Sequence, residues 1–323
     1  MKTGDDLRFA IETATAERPA LVEDFLYERQ VLMLAGEPGV GKSIVSTTLA
    51  LALTSQSRLW SFLTIPTPRQ VFYLQLEGTE EESYERIRRM APVLPCNTEK
   101  LCWHYRSGLN LLEALQTESL LKQIAQWGKH PDLVIIDPLY QTVFGELSKE
   151  LPSKAILRFL DAAKQAFAPC AFLLVHHTKK SSYASSGQKI EEDDPFYGSQ
   201  WLKAYVDISY YLKPGGGRYA DQVMLVNKKA RGGDVVKDLI LHYEPETDTV
   251  TTDVPLSEQS GYERVSKYLE SLKQVGKTTT YFEVMDACKL SSRQLRNVQM
   301  ALFRAEKLRC DKFMGKKKIW EPL

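Results

Sequence analysis

No run of residues approaches the ~18 consecutive apolar side chains that a bilayer-crossing helix needs, which excludes an integral helical membrane protein. Cysteine is scarce and shows no pairing pattern. Cys96, Cys102, Cys170, Cys288 and Cys310 are scattered, with no CxxC and no histidine at zinc-finger spacing. This excludes a disulfide scaffold and a structural zinc site, and reads as reduced thiols in a cytoplasmic protein. The opening "MKTGDDLRFAIETATAERPA" lacks the continuous apolar stretch of a secretory signal. Net charge is almost absent too, at +1, yet the balance hides an asymmetry. From Glu258 to Leu323 there are 14 Lys+Arg against 8 Asp+Glu, which leaves 28 against 33 in the residues before. Basic charge therefore gathers at the C-terminus.

A chain of 323 residues exceeds what one core usually supports, so a domain of about 200 to 250 residues plus a smaller one is expected. The segment "EPETDTVTTDVPLSEQSG" is rich in Pro, Thr, Asp and Glu and carries no helical or strand period. It reads as a linker, 246–260. The resulting division is an N-terminal segment, 1–20, a core domain, 21–245, and a C-terminal domain, 261–323.

The most informative stretch is "LAGEPGVGKS", which follows the apolar Val31-Leu32-Met33 and leads into "IVSTTLALALTS", a helical run. Gly36, Gly41, Lys42 and Ser43 fit G-x-x-x-x-G-K-[ST], with Glu37, Pro38, Gly39 and Val40 filling the loop and Ile44 following it. Glycines let the backbone curl so that successive N–H groups face an anion, and the next helix presents its positive end. Lys42 then reaches the outer phosphates of a nucleotide and Ser43 ligates Mg²⁺. A random chain of this length would contain the pattern about one time in a hundred or less.

Three further apolar runs end in polar residues. "RQVFYLQLEG" places Glu77 just past a strand, "PDLVIIDPLY" ends in Asp137, and "CAFLLVHHTKK" ends in His176 and His177. Parallel α/β sheets bind ligands just beyond the carboxyl ends of their strands, so these endings and the glycine loop are expected to share one rim. On that reading Asp137 holds Mg²⁺ and Glu77 is the base that orients the attacking water. The competing reading of Glu77 is a cap on the helix "TEEESYERIRRM", whose Glu82/Arg86 and Glu85/Arg89 spacings suit surface ion pairs. For Asp137 it is a turn residue before Pro138. Strand alternation lets only one of the two histidines face the nucleotide. A GTPase would need Asn-Lys-x-Asp, and "NKKA" lacks the aspartate, which favours ATP.

"LAGEPGVGKS", "VFYLQLEG", "LVIIDPLY" and "LLVHHTKK", in this order, resemble the RecA-like core of the RepA type, the hexameric replicative helicases of plasmids, and more distantly KaiC, RadA and DnaB. The resemblance spans roughly residues 20 to 245. It implies an α/β fold, a RecA-like P-loop core with a mainly parallel central sheet. It also implies ATP and Mg²⁺ as ligands, with Lys42, Ser43 and Asp137 holding them and Glu77 as base. His177, followed by Thr178 and Lys179, matches the sensor position. Lys229 and Arg231 at the end of "DQVMLVNKKARGG" are similar to the Lys-x-Arg pair that such rings insert into a neighbour's site. The implied assembly is a hexamer and the implied partner DNA.

Two regions suit that partner. The long loop after the sensor strand carries Lys179, Lys180 and Lys189, suited to a single-stranded backbone in a ring channel. Residues 261–323 read as helix, helix, helix and two short strands, the order of a winged-helix domain. Its third helix exposes Arg293 and Arg296, and its basic turn holds Lys316, Lys317 and Lys318, which suit duplex DNA. Two functions are therefore weighed: a DNA helicase or translocase driven by ATP, and an ATP-dependent DNA-binding assembly factor that separates no strands.

Overall fold

The computed structural model describes residues 3, 4, 8, 19–60, 63–178, 200–214, 222–231, 236 and 238–252. In the C-terminal part it describes 265–266, 268–274, 277–288, 290, 295, 298–299, 302, 308–309, 313–314 and 317–322. The chain opens with two short strands, β1 (Ala20–Val22) and β2 (Leu26–Tyr27), paired antiparallel. The central sheet is then built from β3 (Val31–Gly36), β4 (Val71–Gln75), β5 (Leu101–Tyr105), β6 (Leu133–Asp137), β7 (Ala171–His177), β8 (Ile208–Pro214), β9 (Val223–Ala230), β10 (Asp238–Glu244) and β11 (Thr249–Thr251). Their spatial order is β11-β10-β9-β8-β3-β7-β6-β4-β5. Strands β8, β3, β7, β6, β4 and β5 run parallel, and the β9–β11 meander closes one edge antiparallel. The expected α/β core with a mainly parallel sheet is thus present.

The inner strands are apolar along most of their length, as strands covered on both faces must be, and their alternation sorts side chains between two cores. On one face lie Leu32, Leu34, Val71, Tyr73, Leu133, Ile135, Leu173 and Val175, packed with helix α1 (Lys42–Ser55) and with Met90 of α2 (Glu80–Met90). On the other lie Met33, Phe72, Leu74, Val134, Ile136, Phe172 and Leu174, packed with α3 (Ala114–Gln126), α4 (Glu150–Ala166) and Leu202 of the short α5 (Gln200–Tyr205). Helix α1 carries no acidic residue in its first turn, no basic one in its last, and is buried on nearly every side, as suits a central element. It starts where Gly41 (φ 96) turns the chain, and it ends at Gln56 in the left-handed region, whose N–H reaches Ala52 O.

Helix α2 owes its start to Thr79, not to Glu77. Thr79 and Glu82 form a reciprocal capping box, and three acids, Glu80, Glu81 and Glu82, sit in the first turn. At its other end Arg89 pairs with Glu85 at 3.3 Å, as the spacing suggests, but also with Asp248 at 2.8 Å. Arg86 turns to Asp248 as well, at 3.4 Å. Asp248 lies in the turn between β10 and β11, so the sheet continues through part of the segment read as a linker. The turn composition of "EPETDT" is the same in a linker and in a hairpin, and the β-branched "TVT" after it supplies the strand. Thr252 N then bonds Trp60 O at 3.3 Å, holding this end against the core.

In the C-terminal part, β12 (Thr279–Thr280), β13 (Leu308–Arg309) and β14 (Phe313–Met314) all pair antiparallel with β15 (Lys317–Pro322). Helix α6 (Tyr281–Cys288) follows β12 directly. A separate core joins Val265, Leu269, Val284, Leu295, Val298, Leu302 and Trp320. Among the described residues no helix is long and apolar enough to cross a membrane, and Cys96, Cys102, Cys170 and Cys288 are thiols.

Candidate active site

Strand register brings the polar endings together. Gly36 is paired with His177, and Gln75, two residues before Glu77, with Asp137. All four strands are parallel, so these residues meet at the carboxyl rim of the sheet. Alternation decides which face each takes. Asp137 continues the row of Leu133 and Ile135, and His177 that of Leu173 and Val175, so both turn toward α1 and the glycine loop. His176 belongs to the opposite row and is buried.

The loop itself depends on its glycines. Gly39 (φ 80) and Gly41 (φ 96) adopt left-handed backbone, where a side chain would be strained. At Gly36 a Cβ would lie 2.6 Å from Leu212 O and 2.9 Å from Val40 Cγ1, so β8 tolerates no side chain there. Lys42 is almost fully buried, and its Nζ donates to Gly36 O at 2.9 Å and Glu37 O at 2.8 Å. Burial pushes the Lys42 ammonium down to about 8, while Asp137, Glu77 and Glu37 pull the other way. An added anion would raise it again.

Asp137 is 4% exposed. Tyr73 Oη donates to its Oδ2 at 2.5 Å, Ser46 Oγ approaches the same atom at 3.3 Å, and Ser46 and Tyr73 are 2.8 Å apart. Burial raises the Asp137 carboxyl above the usual range and Glu77 adds to this, against the lowering effect of the Tyr73, Ser43 and Ser46 hydroxyls. Its other oxygen, Oδ1, is buried and accepts no hydrogen bond. An orphaned carboxylate oxygen beside the loop serine fits a hard divalent cation, which takes oxygen ligands. No group of three or more His, Cys, Asp or Glu that could hold a metal occurs among the described residues. A Mg²⁺ bound through one carboxylate, one hydroxyl and substrate phosphates needs none.

Glu77 stands across the rim from Lys42. Tyr140, in the 3₁₀ turn after β6, donates to its Oε2 at 2.8 Å, and His177 Nε2 lies 3.7 Å from its Oε1. Tyr140 and His177 meet edge to face with ring centroids 5.1 Å apart. Burial and then Lys42 hold the His177 imidazole below its ordinary range, with Glu77 opposing, so it stands neutral at pH 7. A cavity of about 280 Å³ opens between Glu77, Asp137 and the start of α2, lined also by Ser43, Tyr73, Gln75, Ser83 and Trp103.

A glycine-loop lysine, a buried acid with a free oxygen, and a strand-end glutamate on one rim form the frame of a P-loop ATPase. A family model described as an AAA domain matches residues 4–183, more than half of the chain. The chain belongs to the AAA domain family. Its fold is also that of a solved ATPase domain, with a TM-score of 0.54 at 14% identity, over 76% of this chain and 95% of that one. This is one of 396 solved chains that match, so the AAA domain's fold alone does not select a function. No curated protein sequence matches.

The remaining candidate residues of this AAA-family chain lie elsewhere. Lys229 and Arg231 sit at the end of β9. Ala230 between them is paired with Ile208, and Ile208 with Leu32, four residues before Gly36. The pair is therefore about 13 Å along the sheet from its own glycine loop, at the opposite rim. Lys229 Nζ donates to Lys203 O at 2.6 Å and Ala204 O at 3.2 Å, and Arg231 Nη2 to Ala204 O at 3.0 Å. The cations thus cap the C-terminal end of α5. Lys179, Lys180, Lys189, Arg293, Arg296 and Lys316 lie outside the described residues. Lys317 and Lys318 open β15, with only their backbone described.

Sequence reasoning misses Tyr73, Ser46, Gln75, Trp103 and Tyr140. The available signal is polarity on one row: Tyr73 and Gln75 interrupt an otherwise apolar strand at alternate positions and point to the α1 face.

Proposed function

We propose that this AAA-family chain hydrolyses ATP within a ring of identical subunits that moves on DNA, as the resemblance to RepA-type helicases implies. The observation that carries the reading is the division of the chemistry between two rims. Lys42, Ser43, Asp137, Glu77 and His177 gather at one, whereas Lys229 and Arg231 stand at the other, too far to serve the same nucleotide. A site completed by a second subunit accounts for both.

In this mechanism the loop N–H groups and Lys42 hold the phosphates, and Lys42 exchanges its two carbonyl partners for phosphate oxygens. Ser43 and Asp137 would hold Mg²⁺, whose positive charge offsets the negative charge of the phosphates. Glu77 orients the attacking water and takes its proton, with Tyr140 fixing the carboxylate. Neutral His177, beside Glu77 and two residues before Lys179 in the chain, reports the state of the nucleotide. Arg231 and Lys229 of one subunit neutralise charge developing at the next. The C-terminal part, with its own core, acts as a winged-helix domain that reads duplex DNA through Arg293, Arg296 and Lys316 to Lys318.

The test is ATP turnover by the purified chain with and without single-stranded DNA, run beside its mass in solution with ATP. Stimulation by DNA together with a ring-sized mass is expected. Turnover indifferent to DNA in a monomer or dimer would overturn the motor and favour an assembly factor switched by ATP.

A further inference from the structure

Gln75 occupies the last position of β4 and is 8% exposed, and the roles given to the rim residues leave it unused. Every hydrogen-bonding capacity of its carboxamide is engaged. Oε1 accepts from Ser83 Oγ at 2.6 Å and from Trp103 Nε1 at 2.7 Å, while Nε2 donates to Glu77 O at 2.8 Å and Thr79 O at 3.2 Å. The orientation is unambiguous, because an indole N–H can only donate and a carbonyl can only accept. The two carbonyls flank Gly78, whose positive φ of 75° makes the turn from β4 into the Thr79 cap of α2. A Cβ at Gly78 would come within 3.5 Å of Gln75 Nε2, so the turn is folded against the amide. Glu77 rides on this turn. The far side of the hub is equally fixed, since Trp103 stacks on Tyr73 at 3.9 Å between centroids and 10° between planes. Tyr73 in turn holds Asp137.

We propose that Gln75 is a positioning residue for Glu77, its carboxamide tying the turn that delivers the carboxylate to the aromatic pair behind Asp137. The proposal rests on the reading of Glu77 as the base in ATP hydrolysis. Removing the amide takes away the donor to Glu77 O and leaves Thr79 O to Ser83 alone; the carboxylate is then free to shift, and misplacement of about an ångström is enough to cost a large factor in rate.

The experiment uses the full chain and four proteins: wild type, Gln75→Met, Glu77→Gln and the double variant. Methionine keeps the volume and removes the hydrogen bonds. Gln75→Met is expected to lower kcat about tenfold or more while KM for ATP stays within about threefold, the pattern of a loss confined to the transition state. Because Gln75 acts through Glu77, the double variant should turn over no slower than Glu77→Gln alone. A folded Gln75→Met with the wild-type kcat, or a double variant slowed by the product of the two single effects, overturns the proposal. If Gln75→Met does not fold, Trp103→Phe and Ser83→Ala each remove one bond to Oε1. Reduced kcat in both, not additive with Glu77→Gln, supports the role; unchanged kcat in both overturns it. A wild type without ATP turnover, or Glu77→Gln with normal turnover, sinks the functional reading itself and is told apart by these controls.

Discussion

At the scale of single residues, the proposed function separates binding from chemistry on the rim. Lys42 is buried near Glu37, Glu77 and Asp137, and its ammonium is held by two backbone carbonyls, the contacts that phosphate would replace in the proposed mechanism. Lys42→Ala is expected to abolish nucleotide binding, checked by titration with a fluorescent ATP analogue. Glu77→Gln keeps the shape and loses the proposed base, so it should bind ATP like the wild type while turnover slows about a hundredfold or more in a steady-state assay. Normal turnover in that variant would remove Glu77 from the role. Glu77, Asp137 and Lys42 stand out as candidates in the sequence because each lies within a short local pattern, an apolar run or a glycine loop. Tyr73 and Gln75 could not be assigned in the same way. Their partners are 64 and 28 residues away, at Asp137 and Trp103, and only the register of β4 with β6 and β5 brings them into reach.

At the scale of elements, α2 is held at both ends. Its N-terminus is the capping box that follows the Gly78 turn, and its last turns grip Asp248 in the β10–β11 hairpin. Burial opposes the charge on Asp248, but Arg89, Tyr243 and Arg86 outweigh it and hold the carboxyl below the usual range. A depressed carboxylate contributes stability above its ordinary pKa, and that stability is lost as pH falls through the folded value. Asp248→Asn should therefore lower the unfolding free energy at pH 7. The cost is about 1–2 kcal/mol, modest because Arg86 and Arg89 are partly exposed. Urea denaturation should show the gap closing below about pH 4. An equal gap at both pH values would mean that packing, not charge, holds the hairpin. This clamp was invisible in the sequence, where Asp248 sits in a segment with the composition of a linker. The parallel arrangement of the inner strands, by contrast, followed from their largely apolar runs.

At the scale of the whole molecule, the two-rim arrangement makes a specific demand. If Arg231 completes a neighbour's site, then Arg231→Ala and Glu77→Gln, each impaired alone, should partly complement when mixed. Some interfaces in a mixed ring join an intact Glu77 to an intact Arg231. Recovery of turnover under conditions of subunit exchange is the expected result, and none at all would count against a shared site. The capping of α5 by Lys229 and Arg231 means that an isolated chain already satisfies these cations with its own carbonyls.

The alternation of the central strands also sets how a core substitution is felt. Positions 73, 75, 137 and 177 all fall on the α1 side of the sheet, while 72, 74, 134, 136, 172 and 174 fall on the other. On the second row a lost methylene leaves a void behind the sheet and is felt first as lost stability. The first row strings Leu133 and Ile135 to Asp137, and Leu173 and Val175 to His177, so a void there lies on the same line as the polar rim. One strand thus carries a row that only supports the sheet and a row that also aims the rim, interleaved at every second residue.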